Sequence, residues 1–143
     1  MGRKEDRAHA FCLVFQLPHI DVLDAESVIE GYFDGLENGK NGVGVKFVVN
    51  EFQGVIRHLS DIDDRIKRVL NDWDLSRLAA ADLAILRLAV FELVFNDKVP
   101  TKVAINEAVD LAKVYSTEDS PKFINGVLGG VVKGLEANLE TGE

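Results

Sequence analysis

One cysteine, three prolines, one tryptophan and three histidines among 143 residues leave few of the parts from which small catalytic or metal sites are built. Cys12 has no partner for an internal disulfide. Its neighbours Phe11, Leu13 and Val14 give it an apolar setting, in which a thiol behaves as a small hydrophobe. Such cysteine usage fits a reducing compartment, and a cytoplasmic location is expected. His9, His19 and His58 lack the i, i+4 spacing of a helical zinc pair, and a lone thiol supplies no cage, so no metal is expected. The stretch from Gly35 to Lys40 is one residue short of a phosphate-binding loop and has Asn41 where a metal-binding hydroxyl is required. Gly126, Gly129 and Gly130 follow no strand, which removes the setting of a dinucleotide turn. As nucleophiles, Cys12 is apolar in context and Ser120 is explained as a helix cap. The expectation is a protein with no catalytic residue and no cofactor.

Long apolar runs and positive charge are also scarce. The stretch from Ala10 to Leu17 is interrupted by Gln16, is far too short to span a bilayer and has no cleavage site, so neither export nor a membrane partner is expected. Met1-Gly2 opens like an acylation signal, but Asp6 stands where Ser or Thr is wanted. With 16 Lys and Arg against 24 Asp and Glu, the net charge of −8 excludes a protein that coats nucleic acid through its overall field. Any nucleic-acid contact has to be local or shared with a partner.

What the chain does have is apolar residues at helical spacing from end to end, with almost no period-2 alternation, so the expected class is all-α. A first helix over about Arg3 to Leu17 turns Ala8, Phe11, Cys12 and Phe15 inward and stops at Pro18. A second, over about Ala25 to Leu36, has Asp24 as its cap. The glycine-rich loop from Asn38 to Gly44 then divides an N-terminal subdomain, about 1–44, from a C-terminal one, about 45–140. Next comes a stripe from Val55 to Leu70, read as two helices meeting near residue 60, with Ser60 and Asp63 as a capping box. Residues 82–95 are apolar on nearly every face around Arg87, so that helix should be central, with Arg87 a structural cation paired to Glu107 or Glu92. A helix over Thr101 to Tyr115 follows, and Ser120-Pro121 announces the last one. Gly126, Gly130 and Gly134 along its side point to close approach of a neighbouring helix in the core, the alternative being an exposed shallow groove for a partner.

Three strings carry a resemblance: Asp82 to Leu93 (DLAILRLAVFEL), Val99 to Lys113 (VPTKVAINEAVDLAK) and Ser120 to Leu128 (SPKFINGVL). Together they strongly resemble the NusB family of bacterial transcription antitermination factors, densely over residues 82–128 and weakly between about 20 and 60. The resemblance implies two small helical bundles side by side in one compact domain. It implies binding of boxA RNA as a heterodimer with NusE, a small-subunit ribosomal protein, within the RNA polymerase antitermination complex, and read-through of terminators, notably in ribosomal RNA operons. It places RNA contacts at Arg3, Lys4 and Arg7 of a basic arm, with Lys122 and Phe123 nearby, and the NusE-facing side around Phe15 and Asp82. Arg7, the arm cation nearest the folded helix, is expected to tolerate Arg7→Glu without loss of fold. Glu5 and Asp6 oppose the arm, Gly129 replaces a usual Asp, and Leu83 replaces a usual basic residue. The alternative is a family member that binds only protein or self-associates, with little RNA binding. The similar helical portion of an RNA cytosine methyltransferase is set aside, since a catalytic domain would be expected after residue 143.

Overall fold

A computed structural model describes the backbone of residues 2–141 and the side chains of residues 2–138. Seven helices form its described part: α1 (Arg3–Phe15), α2 (Ala25–Asp34), α3 (Val45–Arg57), α4 (Leu59–Val69), α5 (Ala80–Phe95), α6 (Thr101–Tyr115) and α7 (Ser120–Thr141). No strand occurs among the described residues.

Helix α5 is the axle. Ala84, Ile85, Leu86, Leu88, Ala89, Val90 and Phe91 are all buried, because α1, α3, α4, α6 and α7 pack around it. An apolar stripe on each neighbour closes against it. Ile62 and Ile66 of α4, Ala104, Ala108 and Leu111 of α6, and Ile124, Val127, Leu128 and Val131 of α7 supply these stripes. One buried apolar cluster runs through the whole set, on both sides of the turns at residues 38–44.

Helix α1 departs from the expected face. Its buried residues are Asp6, Arg7, Ala10, Phe11, Leu13 and Val14, while Phe15 is exposed and Ala8 and Cys12 are half-buried. The buried stripe is rotated because α1 lies against α3 and α5, and two charged side chains share that face by pairing. Hydropathy spacing alone cannot register buried charge.

Three local readings also change. Asp24 makes no side-chain cap on α2; Asp21 instead accepts from the Leu23 amide at 2.9 Å in the short turn before it. The break between α3 and α4 falls at His58, and Ser60 lies exposed inside α4, so there is no Ser60–Asp63 capping box. Asp63 is engaged elsewhere. Arg87 donates to it from Nε and Nη2, both at 3.0 Å, which replaces the expected pairing with Glu107 or Glu92. Asp63 stands one helical turn beyond Leu59, which packs partly buried against the core, so both side chains leave α4 on its inner side.

Among the glycines of α7, Gly130 does meet a neighbour. A Cβ there would lie 2.8 Å from Val69 of α4, whereas Gly126 and Gly134 face open space. Among the glycines within helices, the closest approach is at Gly54 of α3, where a Cβ would run into the Phe91 ring of α5.

Candidate nucleic-acid and partner interfaces

The N-terminal turn of α1 carries the three arm cations, and each is held by a carboxylate of this same chain. Arg3 Nη1 is 2.9 Å from Asp6 Oδ2, and its guanidinium lies 4.2 Å over the Phe47 ring. Asp6 accepts in addition from the Gly44 amide at 2.9 Å, which pins the start of α3 to the arm. Lys4 Nζ reaches Asp110 at 2.8 Å and Glu107 at 3.1 Å on α6. The Asp110 and Glu107 hydrogen bonds hold the Lys4 ammonium above its ordinary pKa, and Lys4 in turn holds Asp110 below the usual carboxylate range.

Arg7 is not an arm cation in the sense the sequence suggested. It is 5% exposed, and its Nε and Nη2 donate to both oxygens of Glu92 on α5 at 3.0–3.2 Å. Burial works against its charge, and Glu92 more than offsets that, leaving the guanidinium above its ordinary pKa. Arg7 is the fourth residue on from Arg3, one helical turn deeper, so α3 and α5 close over it.

Beside this pair lies Glu51 of α3, 1% exposed, with neither carboxyl oxygen accepting a hydrogen bond. Burial pushes its carboxyl up to about 9, and the neighbouring Glu92 carboxylate pushes in the same direction. At neutral pH Glu51 is therefore a neutral acid.

Lys122 is exposed on the first turn of α7, and Phe123 is half-buried against the core. Tyr115, the last residue of α6, packs on Phe11 with ring planes tilted by 31° and centroids 4.9 Å apart, and α7 follows the turn beyond it. Lys4 and Phe11 are seven residues apart, about 10 Å along α1.

At the far end of α1, Phe15 is 42% exposed and borders a groove of about 360 Å³ together with Pro18, Leu75, Leu78 and Leu83. Asp82 is turned away from that groove. It is 8% exposed and accepts from Ser116 Oγ, which also meets Ser120 Oγ at 2.9 Å. Ser120 Oγ accepts from the upstream Thr117 amide, so it ties the α6–α7 turn together where a forward helix cap was expected. Cys12 is half-buried, and burial raises its thiol pKa, away from nucleophilic chemistry.

Sequence reasoning passed over a third place. Lys46 and Arg57 at the two ends of α3 and Lys98 in the α5–α6 turn are exposed and converge with Arg3 on a cavity of about 740 Å³. Separated by eleven and forty-one residues, these cations make no local run that a sequence could display.

These features define a class: a helical bundle whose candidate residues, apart from the buried Arg7 and Asp82, lie on surfaces and shallow grooves, with no group of three or more metal-ligating side chains among the described residues. No described helix is long and apolar enough to cross a membrane. The chain belongs to the NusB family, whose profile matches residues 4–133. It is 42% identical over 131 residues to the transcription antitermination protein NusB of Staphylococcus haemolyticus, covering 92% of this chain and 99% of that one. It is 41% identical over 133 residues to that of Acetivibrio thermocellus, covering 93% and 90%. Among solved structures, T. maritima NusB superposes with a TM-score of 0.79 at 34% identity over 93% of this chain and 92% of that one. A crystal structure of the antitermination factors NusB and NusE in complex with dsRNA gives 0.76 at 28% identity, covering 92% and 96%.

Proposed function

We propose that this chain is a cytoplasmic transcription antitermination factor that binds boxA RNA as a heterodimer with NusE and promotes read-through by RNA polymerase, notably in ribosomal RNA operons. It acts by binding, without catalysing a reaction. The observation that carries this reading is the family match across residues 4–133, joined to a similar fold solved with NusE and RNA. Arg3, Lys4, Lys122 and Phe123 contact the RNA. Arg7 acts indirectly, by anchoring α1 to α5 through Glu92. NusE covers the groove beside Phe15, and Asp82 acts indirectly, by holding α5 to the α6–α7 turn through Ser116.

The pairing of Arg3 and Lys4 with internal carboxylates supports a shared RNA surface. A phosphate must compete with Asp6, Glu107 and Asp110 for these cations, so the lone chain gains little by binding it. A partner that adds its own cations shifts the balance. The test is a titration of boxA RNA into this protein alone, into NusE alone and into the mixture. The mixture should bind at least tenfold more tightly than either component. Absence of boxA binding in the mixture would instead favour a protein-interaction module or a homodimer.

A further inference from the structure

The 740 Å³ cavity between α3, the N-terminus of α1 and the α5–α6 turn has no role in the reading above beyond its shared Arg3. Lys46, Arg57 and Lys98 stand at its rim, exposed and without an ion pair among the described residues, unlike Arg3 and Lys4. In a chain of net charge −8 this is a local reversal of sign. The acidic groups that face the cavity are Asp97, exposed at the rim, and Glu51 beneath the floor. Glu51 is a neutral acid at neutral pH, so it does not cancel the rim, and Arg7 below it is already matched by Glu92.

The cavity wall is not merely cationic. Phe47 and Phe95 line it, and His58 backs the Phe95 ring in a parallel stack at 3.8 Å, holding that ring fixed. Asn50 and Asn96 add amide donors and acceptors at the same wall. Cations without partners, a buttressed aromatic ring and side-chain amides are the three kinds of contact that a nucleotide uses: phosphate, base face and base edge. A simple anion would need only the first.

We propose that this cavity is a nucleotide-binding site, with the phosphate held by Lys46, Arg57 and Lys98 and the base packed on Phe95. The same chemistry is offered by a free nucleotide and by one unit of a single-stranded RNA. For the second source the inference rests on the RNA-binding reading, with the strand turning from Arg3 into the cavity.

Backbone amide NMR of the full chain, titrated with inorganic phosphate, with AMP and UMP, and with a short single-stranded RNA, tests the site. The nucleotides should shift amides of α3 and residues 95–99 at concentrations at least tenfold below those phosphate requires. Phe95→Leu, which keeps the apolar volume, should erase that preference and leave the phosphate response. The double variant Lys46→Glu, Arg57→Glu should abolish both. If the same double variant also weakens boxA binding by the NusE mixture at least fivefold, the occupant is an RNA unit; if boxA binding is unchanged while mononucleotide shifts vanish, it is a free nucleotide. Nucleotide shifts that are absent from α3 and residues 95–99, or no tighter than those of phosphate, overturn the proposal. A mixture that fails to bind boxA while the wild-type chain still shows localised nucleotide shifts would overturn the RNA reading and leave this site standing.

Discussion

At the residue scale, the buried Arg7–Glu92 pair sets the strongest constraint on the chain. With both side chains at most 6% exposed, removing one partner leaves an uncompensated charge beside a second acid, Glu51. Arg7→Leu should therefore destabilise the fold by about 3–5 kcal/mol, and Arg7→Glu by at least as much, in urea denaturation. This reverses the expectation that charge reversal at Arg7 spares the fold. Arg87→Leu, whose partner Asp63 keeps a 20% exposed side chain, should cost less, about 1–3 kcal/mol in the same assay. Glu51 adds a pH dependence. Its folded pKa, about 9, lies above the ordinary 4.5, so the folded chain holds a proton there that the unfolded chain has lost. The stabilisation this brings is fully present below about pH 4.5 and fades as pH rises toward 9. Glu51→Gln keeps a neutral side chain of the same shape, and its unfolding free energy should fall less between pH 6 and 9 than that of the parent; equal slopes would mean that Glu51 is ionised in the fold. None of this was legible in the sequence. Asp6 and Arg7 read as parts of an exposed arm there, because their buried partners are brought by the fold from 38 and 85 positions away, and Glu51 was not singled out at all.

At the scale of elements, the helices were legible and their faces less so. The apolar run at 82–95 identified the central helix because a segment with no polar face can only be surrounded. The α3–α4 break was placed near residue 60 on a Ser60–Asp63 capping box that does not form, although the break itself falls close by, at His58. The α1 face was misjudged because α1 has neighbours on two sides, and the close approach was assigned to the glycines of α7 when the closest one among the glycines within helices is Gly54. A glycine's role depends on what crosses it, and spacing along one helix does not show that. The contrast gives a paired prediction by thermal or urea melting. Gly54→Ala drives a methyl into the Phe91 ring and should destabilise by about 1–3 kcal/mol. Gly126→Ala enters open space within a helix and should stabilise by about 0.5–1 kcal/mol. Reversed signs would show that α3 and α5 do not meet as described.

At the scale of the whole molecule, the proposed function asks a protein of net charge −8 to share its RNA surface with a partner. The family and the boxA expectation were legible, since the strings over residues 82–128 lie on α5, α6 and α7, the structural centre. The state of the cations was not legible: of the arm, only Arg3 and Lys4 reach solvent, and both are engaged by carboxylates of the chain. The decisive measurement is boxA affinity across a salt series, for the lone chain and for its mixture with NusE. With two or three phosphates neutralised at most, the lone chain should bind weakly, with a log–log salt slope of roughly −1.4 to −2.1 or shallower, from about −0.7 per phosphate on a single strand. The mixture should bind more tightly and with a clearly steeper slope. Tight, steeply salt-dependent binding by the lone chain, unimproved by NusE, would contradict the shared surface.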